Sequence, residues 1–311
     1  MKLLKRFLKM TGVVFLLMNI VAFFHAWHFT HFSTNTGEKT GSPQSMSVLV
    51  KVKTILFGIS NPRPENATKP ALPFEDITLQ SHKKIACWMI NKDSAKGTVI
   101  LFHGFSGEKS SMLDKAAEFL DMGYNTMLVD FMGSGRSEGN QTTIGFKEAN
   151  DVETAYNYLR QRGEKNICLF GTSMGAAAIL KAVADRGVTP DKIILECPFG
   201  SMYQTTCARF KTMRVPVFPM AGLLIFWGGL QNGFWAFGHN PSTYAKAVKC
   251  PALLLYGAKD EKVSIAETND IFNNLQGKKQ LKIYPEAGHE NYLHRYKNEW
   301  RSDVVAFLSQ K

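Results

Sequence analysis

The chain has 311 residues, of which 45% are hydrophobic and 20% charged, with 25 Gly and 12 Pro. This ordinary globular composition excludes a disordered, collagen-like or coiled-coil protein for the bulk of the chain. Lys and Arg number 37 against 26 acidic residues, but they form no run of five, so nucleic-acid binding is not expected. The five cysteines lack C-x-x-C spacing, which predicts neither a disulfide scaffold nor a zinc site.

The N-terminus carries the first strong signal. After Lys9 the next formally charged residue is Glu38, and the apolar heart of this stretch runs from Met10 to Phe29. Twenty helical residues rise about 30 Å, the thickness of a bilayer core, so the segment predicts a membrane anchor. A cleaved signal peptide is the alternative, although Phe24-His25-Ala26 offers only one of the two small residues that a cleavage site needs.

Charge predicts the orientation of this anchor. Four basic residues precede the apolar run, and none follows it until Lys39. The N-terminus should therefore stay in the cytoplasm and the rest of the chain should lie outside. If the segment is cleaved, the protein would instead be secreted or periplasmic. A polar linker follows at 33–44, and Met46 to Gly58 could lie on the membrane surface or dock as a simple helix.

From residue 74 onward, apolar runs of strand length alternate with helical patterns. This alternation predicts an α/β fold with a mostly parallel central sheet flanked by helices, preceded by an antiparallel pair. The predicted strands are 74–79, 84–89, 98–102, 125–129, 166–170, 192–195, 252–256 and 280–284. The last helix is predicted over 290–308.

The strand at 166–170 runs into Gly171-Thr172-Ser173-Met174-Gly175 and then into an Ala-rich helix. This is a G-x-S-x-G nucleophile elbow in the strand–turn–helix context that it requires. A serine on such a sharp turn is lifted out of the sheet, and glycines on either side let neighbouring backbone pass. Ser173 is therefore the predicted nucleophile.

With these motifs the chain resembles the α/β-hydrolase superfamily, in particular its membrane-anchored bacterial branch of serine-aminopeptidase-like and lysophospholipase-like proteins. His103-Gly104-Phe105 resembles the family's H-G-x loop, and DFMGSGRSEG at 130–139 resembles its D-x-R-G-x-G-x-S-x-G turn, with Met132 where Arg is usual. The resemblance covers about residues 72–311. It implies an α/β-hydrolase fold with a small apolar cap between the sixth and seventh strands.

The resemblance also implies the rest of the site. Gly257-Ala258-Lys259-Asp260 resembles the family's acid turn, and Glu286-Ala287-Gly288-His289 its histidine loop. His289 would be the general base and Asp260 its orienting acid, with Glu196 as a rival for the acid role. The backbone N–H groups of Phe105 and Met174 would form the oxyanion hole. No motif calls for a metal ion or another cofactor.

We therefore predict three parts: a cytoplasmic tail and anchor at 1–32, a linker with a candidate amphipathic segment at 33–71, and a hydrolase domain at 72–311 with its cap at about 200–248. The expected activity is that of a serine hydrolase on carboxylic esters, first of all acyl or lipid esters. Peptidase, aminoacyl-hydrolase and thioesterase activities stay open, as does a binding module without turnover. The expected partners are an ester substrate and the membrane, and the oligomeric state stays open.

Residues 215–245 carry no formal charge, and hydropathy alone could suggest a second membrane span. Prolines and glycines interrupt this segment, and a span here would place Ser173 and His289 on opposite sides of the membrane. We expect a cap whose apolar side chains partly line an acyl pocket. The candidates are Phe218, Leu223, Phe226, Trp227, Phe234 and Trp235.

The charge bias generates a first prediction. A reporter fused after residue 40 should report an extracytoplasmic location, because the basic residues that precede the apolar run are retained inside. Paired alkaline-phosphatase and fluorescent-protein fusions in bacterial cells measure this directly. A mature protein whose N-terminus maps near Trp27 would contradict the anchor and favour the cleaved signal peptide.

Overall fold

The computed structural model describes residues 1–33, 40 and 47–310. The chain divides into two compact units. We call Met1–Pro62 with Met202–His239 the helical unit, and Arg63–Ser201 with Asn240–Lys311 the sheet unit. Most of the polar linker predicted at 33–44 lies outside the described residues.

Within the described residues, the sheet unit holds one eight-stranded sheet in the order β1-β2-β4-β3-β5-β6-β7-β8. The strands are β1 (Glu75–Gln80), β2 (Lys84–Ile90), β3 (Thr98–Phe102), β4 (Asn125–Val129), β5 (Ile167–Thr172), β6 (Lys192–Glu196), β7 (Ala252–Gly257) and β8 (Lys279–Tyr284). The pairs β1–β2 and β2–β4 are antiparallel, and every pair from β4 to β8 is parallel. The predicted fold class, a mostly parallel sheet flanked by helices, is confirmed. The cap expected between the sixth and seventh strands stays a prediction.

The helices follow the predicted alternation with small shifts at their ends. In chain order they are α1 (Lys2–Thr30), α2 (Val48–Phe57), α3 (Leu113–Asp121), α4 (Glu148–Gln161), α5 (Met174–Asp185), α6 (Met202–Met213), α7 (Met220–Gln231), α8 (Pro241–Tyr244), α9 (Ile265–Asn274) and α10 (Leu293–Leu308). Helix α9 begins at a capping box between Ser264 and Glu267. Helix α10 begins three residues later than predicted.

The core of the sheet unit is buried between the central strands and the helices that cover them. Strands β3, β5 and β7 are apolar along their length because both faces of a parallel sheet are covered. Phe119 of α3, Phe170 of β5 and Trp300 of α10 meet edge to face, with ring centroids 5.6 to 6.1 Å apart. The last helix is thereby fixed against the strand that leads to Ser173.

The helical unit contains α1, α2, α6 and α7. Within the described residues α1 is the helix that is long and apolar enough to cross a bilayer, and its most apolar stretch is largely exposed. It is therefore a candidate membrane anchor or signal segment. Helix α2 occupies most of the segment that was expected to lie on the membrane or to dock. The charge-free segment 215–245 contains α7, whose 12 residues are too few to cross a membrane.

A buried carboxylate organises the turn that follows β4. Asp130 Oδ1 accepts the backbone N–H of Lys109 at 2.7 Å, and Oδ2 accepts the backbone N–H of Arg136 at 3.0 Å and the amide of Asn66 at 2.9 Å. The Lys109 ammonium also pairs with Oδ2, and both side chains are fully buried. The pair fixes the loop that follows β3 against the end of β4.

This ion pair generates a stability prediction. Lys109→Met should lower the free energy of unfolding by about 3–5 kcal/mol, because Asp130 keeps a buried charge without its counter-ion. In the matched control Lys84→Met, the lost partner is Glu138 on the surface, and the change should stay below about 1 kcal/mol. Urea unfolding of the detergent-solubilised chain measures both values. Similar free energies for the two variants would contradict a structural role for the buried pair.

Candidate active site

The sharpest turn near the predicted site lies at Ser173, between β5 and α5. Its backbone has φ 52° and ψ −106°, a conformation that residues with a side chain rarely adopt. The Ser173 N–H donates to the carbonyl of Glu196 at the end of β6, at 2.7 Å. The serine is half-buried, so its hydroxyl is held at the carboxyl edge of the sheet in a fixed backbone frame.

The two glycines of the motif are required by close approach of backbone. A Cβ at Gly171 would lie 2.6 Å from the backbone nitrogen of Ala176, and a Cβ at Gly175 would lie 2.4 Å from the carbonyl oxygen of Phe102. Neither distance is compatible with a side chain. The spacing in the sequence therefore reflects how tightly α5 folds back over β5 and β3.

His289 lies between Ser173 and Asp260. Its Nε2 is 3.1 Å from Ser173 Oγ, and its Nδ1 is 2.7 Å from Asp260 Oδ2. The Asp260 side chain is fully buried, and that of His289 is 16% exposed. The three residues predicted from separate motifs thus meet in one hydrogen-bonded chain, with the histidine open to solvent on one side.

Backbone N–H groups of the loop after β7 fix the side chain of Asp260. Asp260 Oδ1 accepts the N–H groups of Lys262 at 2.8 Å and Val263 at 2.9 Å, which leaves Oδ2 directed at His289. At the end of β7, a Cβ on Gly257 would lie 2.5 Å from the carbonyl oxygen of Ala287. This close passage brings the loop after β7 and the loop after β8 together, and with them the acid and the histidine.

The loop after β3 passes beside the elbow. A Cβ at Gly104 would lie 3.5 Å from the carbonyl oxygen of Thr172 and 3.8 Å from Ser173 Cβ. Phe105 is the next residue of this loop, and Met174 is the first residue of α5. The oxyanion role of their backbone N–H groups stays a prediction, supported by this proximity of the loop to the nucleophile.

His103, at the start of the same loop, has a structural role. Its ring is fully buried, its Nδ1 donates to the carbonyl of Gly104 at 2.8 Å, and its Nε2 accepts the N–H of Phe131 at 3.1 Å. Burial lowers the pKa of His103, which keeps the ring neutral and able to accept that bond. The histidine of the H-G-x motif therefore anchors the loop to the turn after β4.

Glu196, the alternative acid, has other partners. Its carboxylate accepts the hydroxyl of Thr172 at 3.0 Å and the indole N–H of Trp300 at 3.0 Å, and it lies 3.3 Å from the ammonium of Lys115. It has no contact with His289 among the hydrogen bonds of the described residues. Its side chain instead joins the end of β5 to α3 and α10.

Sequence reasoning missed one group beside the histidine. Cys197 Sγ lies 4.0 Å from His289 Nε2, on the strand end that follows Glu196. Burial raises the pKa of this thiol well above its usual range, so it is a neutral neighbour of the imidazole. No motif marks this cysteine, because its contact with His289 is made across 92 residues of chain.

Cys197, Asp260 and His289 form the group in the described residues whose ligand atoms are close enough, within 4.8 Å, to hold a metal ion. The oxygens of Asp260 already accept hydrogen bonds, and both nitrogens of His289 have partners. The group is better suited to proton transfer than to metal binding.

The six apolar cap residues lie in the helical unit. Phe218 is 87% exposed and Trp235 66% exposed, and Phe226 is 42% exposed. The remaining three, Leu223, Trp227 and Phe234, are half-buried. Their role in lining an acyl pocket stays a prediction.

Comparison with protein families finds two matches along the chain. Residues 93–224 match the family described as serine aminopeptidase, S33, and residues 238–310 match the family described as PhoPQ-activated pathogenicity-related protein. The first range contains Ser173, and the second contains Asp260 and His289.

Individual proteins show the same likeness. An uncharacterized protein of Bacillus subtilis, YqkD, is 26% identical over 68% of this chain and 70% of its own length. A lysophosphatidylserine lipase of Danio rerio, ABHD12, is 24% identical over 70% of this chain and 59% of its own. The solved structure of Pyrococcus furiosus esterase Pf2001 covers 79% of this chain and 96% of its own, with a TM-score of 0.66 and 22% identity, which shows a shared fold.

Proposed function

The chain belongs to the α/β-hydrolase superfamily, and on that premise we propose that it is a serine hydrolase of carboxylic esters that works through an acyl-enzyme intermediate. Ser173 is the proposed nucleophile, His289 the general base and Asp260 the orienting acid. The observation that carries the proposal is the hydrogen-bonded chain from Ser173 Oγ through His289 to Asp260 Oδ2, at 3.1 and 2.7 Å.

In the acylation step, His289 Nε2 takes the proton of the Ser173 hydroxyl as Oγ attacks the ester carbonyl carbon. The carbonyl π bond breaks, and the negative charge on its oxygen is stabilised by the backbone N–H groups of Met174 and Phe105. The tetrahedral intermediate then expels the alcohol, which receives the proton from His289. The acyl group stays on Ser173 as an ester.

Deacylation repeats these steps with water. His289 takes a proton from water, the hydroxide attacks the acyl carbon, and Ser173 leaves with the proton returned by His289. The His289 side chain is 16% exposed, which supports access of water to its imidazole. Asp260 holds the imidazole with its Nδ1 protonated and stabilises the imidazolium formed in each half-reaction.

Among substrates, acyl or lipid esters are the first choice. Relatives named as an esterase and as a lysophosphatidylserine lipase support it. The family described as serine aminopeptidase keeps a peptidase or aminoacyl hydrolase as the second candidate, and a thioesterase is the third. Purified protein assayed on p-nitrophenyl esters of graded chain length, on aminoacyl amides and on acyl thioesters separates these candidates.

We further propose that α1 is retained as a single membrane span with its N-terminus in the cytoplasm, so that the sheet unit lies outside. The length and composition of α1 support a span, and the basic residues before it support this orientation.

The nucleophile assignment gives the next prediction. Ser173→Ala should lower kcat/KM on the best ester by at least about 10⁴-fold, because acyl transfer loses its attacking oxygen. Labelling by a fluorophosphonate probe should disappear with it. Ser111→Ala, a change at an exposed serine, is the matched control and should keep both activity and labelling. An unlabelled and inactive wild-type protein would instead favour the binding module.

The acid assignment gives a separate prediction. Asp260→Asn should lower kcat by about 10⁴-fold, because an amide no longer stabilises the imidazolium and favours the wrong imidazole tautomer. The control Asp270→Asn lies on the exposed face of α9 and should leave kcat unchanged. Circular dichroism verifies that both variants are folded. Retention of most activity in Asp260→Asn would remove this residue from the mechanism.

A further inference from the structure

Helix α7 packs along one half of α1 within the helical unit. Phe23 and Trp227 meet edge to face with ring centroids 5.3 Å apart, and Gly228 lies opposite Ala26. Ala22 and Ala26 are the buried apolar residues of α1, both on the face of the helix that carries Phe23 and Asn19. Small residues that let two helices approach closely are typical of contacts made inside membranes.

Two polar contacts join the same helices. The indole N–H of Trp227 donates to Asn19 Oδ1 at 3.1 Å, and Gln231 Nε2 donates to the carbonyl of Phe23 at 2.8 Å. Asn19 is the polar side chain within the otherwise apolar middle of α1, and in lipid such a group needs a partner of this kind. The pairing therefore gives Asn19 a hydrogen-bond partner on a second helix.

Much of the apolar surface around α7 is left uncovered. Leu230 is 59% exposed, Phe226 42%, Trp235 66% and Phe218 87%. No formal charge occurs from residue 215 to residue 245, so no charged side chain of this segment lies beside them. A helix that is apolar all round is expected in a protein core or in lipid, and these residues are not in a core.

The length and connections of α7 limit how it can meet a membrane. Its 12 residues rise about 18 Å, roughly half of what a full crossing needs. The chain enters this segment from β6 and returns to β7, which are neighbouring strands of one sheet. Both ends must therefore lie on the same side of the membrane, and α7 can only enter and return.

The contacts on α1 identify the leaflet. They involve Asn19 at the midpoint of the apolar run and Phe23 and Ala26 in its C-terminal half, which lies in the outer leaflet when the N-terminus is cytoplasmic. We propose that α7 and its flanking aromatic residues lie within the outer leaflet of the bilayer, packed against the outer half of α1. The partner of this surface is the acyl-chain region of the lipid, and the proposal rests on the proposed membrane span of α1.

Tryptophan fluorescence of the full chain in lipid nanodiscs tests this proposal. The contribution of Trp235 is the difference in emission between wild type and Trp235→Phe, a conservative change at an exposed side chain. In nanodiscs of phosphatidylcholine brominated on its acyl chains, this contribution should lose most of its intensity relative to unbrominated lipid. Iodide in the buffer should leave it nearly unchanged. Quenching by iodide without quenching by brominated lipid would overturn the proposal.

Two further variants separate the possible failures. Trp27→Phe reports the last turn of α1, so quenching of Trp27 without quenching of Trp235 would keep the anchor and reject the placement of α7. A Trp introduced by Asn157→Trp on the exposed face of α4, in the Trp235→Phe background, is the matched aqueous control. It should respond to iodide and not to brominated lipid. None of these readouts depends on hydrolysis, so an inactive enzyme would not affect them.

Discussion

The site depends on the backbone turn at Ser173. A serine at φ 52° is tolerated because the elbow is fixed from both sides, by the carbonyl of Glu196 on β6 and by the backbone that passes over Gly175 from β3. The sheet order places β5 between β3 and β6. The proposed nucleophile, Ser173, is therefore positioned by the centre of the sheet, while Asp260 and His289 reach it on loops from β7 and β8.

The charged side chains buried beneath the elbow are stable only when each of them has all of its hydrogen-bond and ion-pair partners. Glu196 would be costly to bury alone, but it accepts hydrogen bonds from Thr172 and Trp300 and has Lys115 as a counter-ion. One carboxylate thereby joins the nucleophile strand, the helix after β3 and the last helix. Asp130 does the same for the loop after β3 through Lys109. Loss of any one partner would leave a charge in the core, so the polar interior favours one arrangement of the loops.

Local patterns allowed much of the site to be predicted. Ser173, Asp260 and His289 each sit in a short motif at a strand end, and the parallel sheet brings such ends to one edge. The environments of Lys109, Cys197 and Glu196 could not be predicted, because their partners lie 21, 92 and 104 residues away. The packing of α7 on α1 could not be predicted for the same reason, because Trp227 and Asn19 are 208 residues apart. The sequence pattern of an apolar helix also does not indicate which other helix it packs against.

The surfaces of the two units differ in polarity. The sheet unit carries ion pairs and a histidine with access to water, which the proposed hydrolysis of an acyl-enzyme would consume. The charge-free segment 215–245 instead exposes aromatic and aliphatic side chains that water solvates poorly. A long-chain ester has the same division, because its acyl chain is stable in lipid while its carbonyl carbon must meet a hydrated nucleophile. In the proposed placement of α7, the segment between β6 and β7 would meet the lipid while the sheet unit meets water, so a single chain would provide both environments.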